Sequence, residues 1–172
     1  RRPYFFVENQ AGGENVHETL EPEVSAELIR SHVKDGVELC EQYGVPQVVR
    51  DLIPQHHGSR LVSFFFDQAV DAATAMGQVP PDPTTFRYPG PRPYSKEGAI
   101  IMLADSVEAA ARASKDHSSE AITALVDKLI MQRVNEGQLD DCDLTLRDVQ
   151  RIKDAFRAIL VGMYHPRIEY PE

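Results

Sequence analysis

Val45-Pro46-Gln47-Val48-Val49-Arg50-Asp51-Leu52-Ile53-Pro54-Gln55-His56-His57-Gly58 is an apolar run that ends in two adjacent histidines and a glycine. Val49, Leu52, Ile53 and His56 keep the three- and four-residue steps of a helix face, so the first histidine continues an apolar stripe. Pro46 suits a first helical turn. Pro54 does not suit an interior one, because it lacks an amide donor; the helix is expected to kink or restart just before the histidine pair. Neighbours on a helix point roughly 100° apart. Two helical imidazoles would therefore face two metals, or one metal and one substrate group. The plainer reading is one partly buried and one solvent-facing histidine at a helix end, and for a dipeptide alone it is the commoner outcome.

Upstream, a helix is expected from Glu21-Pro22 to Tyr43, with Gly44 ending it. Its inward positions are read as Val24, Leu28, Leu39 and Cys40, with His32 among them and Gly36 leaving space one turn on. Downstream, Phe64-Phe65-Phe66 lead a helix from Leu61 to about Met76. Residues 77–94 form a Pro-rich loop, long for a connection within a domain. A functional loop and a stiff surface strap are weighed equally.

Ser95 is a good N-cap for a helix to about Ser114, apolar nearly all round and so expected to be buried. Asp105, Glu108 and Arg112 nevertheless share one of its faces. Charges stripped of water need partners. Glu108 and Arg112 can pair one turn apart, leaving Asp105 to seek a metal or a donor. The plainer reading is a local salt-bridge network. Ser118 or Ser119 caps a helix to about Asn135, stopped by Gly137. Asp140, Asp141 and Asp143 form a solvated turn without calcium-loop spacing. Thr145 and Asp148 read as a capping box for a last helix with Leu146, Val149, Ile152, Phe156, Ile159, Leu160 and Met163 on one stripe. His117 and His165 are expected at the surface. No segment alternates with period two, so the fold class is all-α.

With 172 residues, one domain with a real core is expected. A net charge of -9 argues against a nucleic-acid polymer or an anionic membrane surface as partner. No apolar run reaches bilayer length. Cys40 and Cys142 suit a reducing compartment without a disulfide framework. The opening Arg1-Arg2-Pro3-Tyr4 is no signal peptide and reads as the interior of a longer protein.

The inward polar residues are His32, His56, His57 and Asp105, contributed by three helices. Helical bundles build metal sites in their cores this way, and mixed imidazole and carboxylate ligands suit iron, manganese or zinc. His32-Val33-Lys34-Asp35-Gly36, Gln55-His56-His57-Gly58, Ser95-Lys96-Glu97 and Leu103-Ala104-Asp105-Ser106-Val107-Glu108-Ala109-Ala110 together resemble the HD superfamily of phosphohydrolases. More narrowly, the chain is similar to the cytoplasmic domain of the seven-transmembrane-receptor HD hydrolases of the PgpH type. The opening Arg2-Pro3-Tyr4-Phe5, the loop Phe86-Arg87-Tyr88-Pro89-Gly90-Pro91, Gly137-Gln138-Leu139-Asp140 and the tail His165-Pro166-Arg167-Ile168 share that likeness, which covers essentially the whole chain.

The resemblance implies an HD-domain helical bundle over residues 1–172 and metal-dependent hydrolysis of cyclic di-AMP to linear pApA. It implies two divalent transition metals, iron or manganese, with His32, His56, His57 and Asp105 as ligands. It also places the parent protein in the membrane, anchored by segments outside this chain, with the domain on the cytoplasmic side; a homodimer is weighed as well. From residue type and position, Lys96, Arg112 and Arg92 are expected to steady phosphate charge, and Tyr88 or Tyr94 to stack on an adenine. One feature departs from the family: no His-Asp dipeptide occurs in the chain. The chain is expected to begin just after that dyad, and four ligands are few for two metals, so the activity of the fragment is left open. The alternatives are a nucleotide-sensing module without catalysis and an HD hydrolase acting on another nucleotide. The absence of a Gly-Tyr-Pro run lowers the weight of cyclic di-GMP.

Overall fold

The structure is a computed structural model that describes residues 16–164. The sequence expectations for residues 1–15, and those for His165 and the tail beyond it, lie outside the described residues. Among the described residues are six α-helices, two short 3-10 segments and no strand. The all-α expectation holds. The chain forms two compact units, divided between Arg92 and Pro93.

The first unit is built on α1 (Pro22–Gln42), α2 (Gln47–Arg50) and α3 (Ser63–Ala75). Pro22 sits in the first turn of α1, where its missing amide costs nothing. At the other end Gly44 takes φ 65°, a left-handed stop that side chains resist. The buried face of α1 carries Ser25, Ala26, Ile29 and Val33. Val24 and Leu39, expected inside, are 44% and 38% exposed. The stripe is therefore turned by about one residue, roughly 100° around the axis. His32 lies at the rim of that face, half-buried.

Ala26, Ile29 and Val33 pack with Val62, Phe65, Phe86 and Tyr88 in one apolar cluster. Two of these come from the Pro-rich loop, which is thus more than a surface strap. Its 3-10 segment Pro83–Phe86 is capped by Asp82, whose carboxylate accepts from the Thr84 amide and is held below the usual range by that bond. An isolated antiparallel bridge joins Leu61 to Arg87. Around it, the Val62 amide donates to Phe86 at 2.9 Å and the Tyr88 amide to Arg60 at 2.9 Å.

The second unit packs α4 (Lys96–Ala113), α5 (Ser119–Asn135) and α6 (Leu146–Tyr164) around one core. Met102, Leu103 and Val107 of α4 meet Ile122, Val126 and Ile130 of α5 and Val149, Ile152 and Leu160 of α6. Ser95 caps α4 through the Gly98 amide, and Ser118 caps α5 through the Ala121 amide, as expected. The Thr145–Asp148 box forms reciprocally, at 3.2 and 3.1 Å. Two expectations fail. Ile100 and Ile101 are 40% and 37% exposed, so α4 is not buried all round. On α6, Leu146, Ile159 and Met163 are 87%, 59% and 65% exposed, because the core takes only the narrower face through Val149, Ile152 and Leu160.

Candidate metal centre

The histidine pair does not sit on a helix. After Arg50 the chain continues in tight turns, with Leu52 bonded to Val49, Ile53 to Arg50 and Gln55 to Leu52. Pro54 supplies no amide to an α-helical ladder. Gln55, 1% exposed, braces the turn by donating from Nε2 to the Asp51 carbonyl at 2.5 Å. Gly58, at φ 54°, lets the chain reverse immediately after the pair. The two rings consequently lie with centroids 3.9 Å apart rather than diverging. The expectation that the pair lies on a helix is corrected by this geometry.

His32 joins them from α1, and one ligand atom from each of the three imidazoles falls within 4.8 Å of the others. Two of the rings are oriented by the backbone in the same way. His32 Nδ1 meets the Ile29 carbonyl oxygen at 2.5 Å, and His56 Nδ1 meets that of Ile53. A carbonyl only accepts, so each Nδ1 carries a proton, and in the neutral ring Nε2 is left with the lone pair that a metal needs. Those two Nε2 atoms stand 3.1 Å apart. That is hydrogen-bonding distance when one Nε2 carries a proton, and it is also the spacing of two nitrogens that share a cation. Metal–nitrogen bonds of about 2.0–2.1 Å, at angles between square and tetrahedral, put two nitrogens roughly 2.8–3.4 Å apart. The pair fits a divalent cation, and the carbonyls play the orienting part expected around metal-bound histidines.

His57 is held by rings on two sides. It lies 4.9 Å from His32 at 90°, and Tyr88 stacks on it at 4.3 Å and 26°. Tyr88 is only 5% exposed. Weighed with Tyr94 as an adenine contact, Tyr88 backs an imidazole in this structure. Two arginines tie the neighbouring backbone: Arg87 donates to the Ser59 carbonyl at 3.1 Å, and Arg30 to the Arg87 carbonyl at 2.9 Å.

Asp105 lies on α4 in the second unit, half-buried. Arg112 pairs with Glu108 at 3.4 Å, as expected from their spacing. Lys96 pairs with Asp148 at 3.0 Å and, with the Thr145 amide, lowers that carboxyl to about 2. Arg92 is half-buried in the first unit, and Tyr94 is 56% exposed. His117 is not a loose surface residue: its Nε2 donates to the Ala111 carbonyl at 2.9 Å and its ring stacks on Tyr164 at 3.9 Å. The support given by Ile29, Ile53 and Tyr88 was missed from sequence. The repeated three-residue spacing, Ile29 to His32 and Ile53 to His56, was its visible signal.

Comparison with known proteins shows the family to which the chain belongs. The HD domain family matches residues 10–110. The cyclic-di-AMP phosphodiesterase PgpH of Listeria monocytogenes is 41% identical over 171 residues, covering 99% of this chain and 23% of that protein. PgpH of Bacillus subtilis is 41% identical over 172 residues, covering 100% and 24%. The chain thus spans about a quarter of the length of these curated relatives. The crystal structure of the L. monocytogenes PgpH HD domain superposes with a TM-score of 0.85 at 40% identity, covering 95% of this chain and 74% of that one. A second crystal structure of that domain, in complex with cyclic-di-AMP, superposes equally well, with a TM-score of 0.85. With its three imidazoles gathered as described, the chain belongs to the HD domain family.

Proposed function

We propose that this chain is the catalytic region of a metal-dependent phosphodiesterase that converts cyclic di-AMP to linear pApA. Water adds across one of the two phosphodiester bonds: its hydroxyl goes to phosphorus and its proton to the departing 3′ oxygen. The observation that carries the reading is the pair of carbonyl-oriented imidazoles, 3.1 Å apart at Nε2, in a chain 40% identical to an HD domain crystallised with cyclic-di-AMP.

Divalent ions bound at such a centre lower the pKa of water and offset phosphate charge. The chain's own part is orientation. His32 and His56 keep Nδ1 protonated against Ile29 and Ile53 and offer Nε2. Tyr88 holds the plane of His57. We assign Asp105 as the carboxylate ligand, two ions of iron or manganese as the metals, and Arg92, Lys96 and Arg112 as phosphate contacts. Lys96 and Arg112 would exchange their present partners, Asp148 and Glu108, for that role. The parent protein is assigned to the cytoplasmic side of the membrane, through segments outside this chain.

The test is product analysis after incubating the full-length protein and manganese with cyclic di-AMP, cyclic di-GMP or a nucleoside triphosphate. Linear pApA as the main product is expected. Preference for a guanine dinucleotide or a triphosphate would overturn the substrate assignment, and intact cyclic di-AMP bound without cleavage would make the domain a sensor.

A further inference from the structure

Gly36 lies one turn beyond His32 on the same side of α1. Its φ is not in the left-handed region, so the backbone there does not call for glycine. A glycine inside a helix is less favourable than alanine, which leaves its presence to be explained by something else. A β-carbon at this position would stand 3.3 Å from Cγ2 of Ile53. Ordinary carbon–carbon contact is about 3.5–4.0 Å, so Ile53 would have to move by a few tenths of an ångström. Ile53 is also the residue whose carbonyl accepts from His56 Nδ1.

We infer that Gly36 is a positioning residue for the metal centre: by lacking a side chain it sets how closely the turn carrying Ile53, His56 and His57 approaches α1, and so the separation of His32 from His56. The chain of contacts is short. A β-carbon at Gly36 would press on Ile53, the Ile53 carbonyl holds the ring of His56, and His56 Nε2 faces His32 Nε2 at 3.1 Å. Coordination tolerates errors of only about 0.2 Å, comparable to the shift a methyl group would force. The inference rests on the metal-centre reading, and it predicts opposite effects on two properties. Alanine should favour the helix and disfavour the ion.

The experiment compares Gly36→Ala, Ile53→Leu and the double variant with the parent, all as the full-length protein. Leucine has no Cγ2 branch but keeps the carbon count, so it removes the clash at little packing cost. Each protein is titrated with Co2+ and followed by visible absorption, and each is melted in the presence of chelator. Gly36→Ala should weaken Co2+ binding about 10- to 100-fold, as other losses around ligating histidines do. Its metal-free Tm should equal or exceed that of the parent. The double variant should recover Co2+ binding to within about threefold of Ile53→Leu alone. Parental Co2+ affinity in Gly36→Ala overturns the inference and leaves the metal centre standing. So does a lowered metal-free Tm, which would mean general damage, or failure of the double variant to recover. A full-length parent protein that takes up no Co2+ refutes the metal centre and this inference with it.

Discussion

Replacing Tyr88 with leucine removes the ring that backs His57 while keeping much of the apolar volume. Tyr88 is 5% exposed and stacks on His57 with centroids 4.3 Å apart and planes inclined by 26°. Aromatic pairs of this kind are worth about 0.5–1.5 kcal/mol beyond the area they bury. If that energy holds His57 in its ligating orientation, its loss appears as roughly two- to twelvefold weaker metal binding, since about 1.4 kcal/mol is tenfold. The same change alters a core position and should cost roughly 1–3 kcal/mol of folding stability. Tyr88→Phe keeps the stacking face and should bind metal within about twofold of the parent. Calorimetric titration with Mn2+, paired with urea unfolding of the metal-free protein, separates the two effects. A leucine variant that loses stability but binds Mn2+ as tightly as the parent would refute the positioning role and leave Tyr88 as core packing.

His56→Ala and Asp105→Ala should each lower the metal content of the full-length protein; unchanged stoichiometry by elemental analysis would remove that residue from the ligand set. His117→Ala should leave metal content unchanged. It loses the bond to the Ala111 carbonyl and the Tyr164 stack, so a stability cost of about 1–2 kcal/mol is expected in chemical unfolding. Asp148 supplies a pH test. Its carboxyl is lowered to about 2, first by the Lys96 bond and then by the Thr145 amide. The ionised form is thus favoured in the folded state, and its contribution is present above the unfolded value of about 3.9. It is lost as pH falls through about 2. The Tm difference between the parent and Asp148→Asn should shrink between those limits, and a difference constant with pH would contradict the assignment.

Much of the helical skeleton was legible because its ends are marked by local chemistry. Ser95, Ser118 and the Thr145–Asp148 box act within a few residues, and Gly44 and Gly137 stop helices wherever the core lies. The faces were less legible. α1 offers apolar residues on more than one side, and only the partners Phe65 and Phe86 select Ile29 and Val33 over Val24 and Leu39. The motifs carried the identity of the three histidines, while their mutual geometry did not follow from helical periodicity. Pro54 signalled trouble for a helix, yet the close approach of His56 and His57 depends on the turns that replace it and on Gly58. Tyr88 was noticed for its residue type, but its burial against His57 depends on the bridge between Leu61 and Arg87, a pairing across 26 positions that no local pattern reveals.

The most direct test measures cyclic di-AMP cleavage by the full-length protein before and after chelation, with iron and manganese counted on the same samples and on His56→Ala. The expected result is pApA formation that disappears with the metal, returns when Mn2+ is restored, and stays low in His56→Ala with its reduced metal content. Full activity in metal-stripped protein, or metal-replete protein that leaves cyclic di-AMP intact, would contradict a hydrolytic metal centre at these histidines.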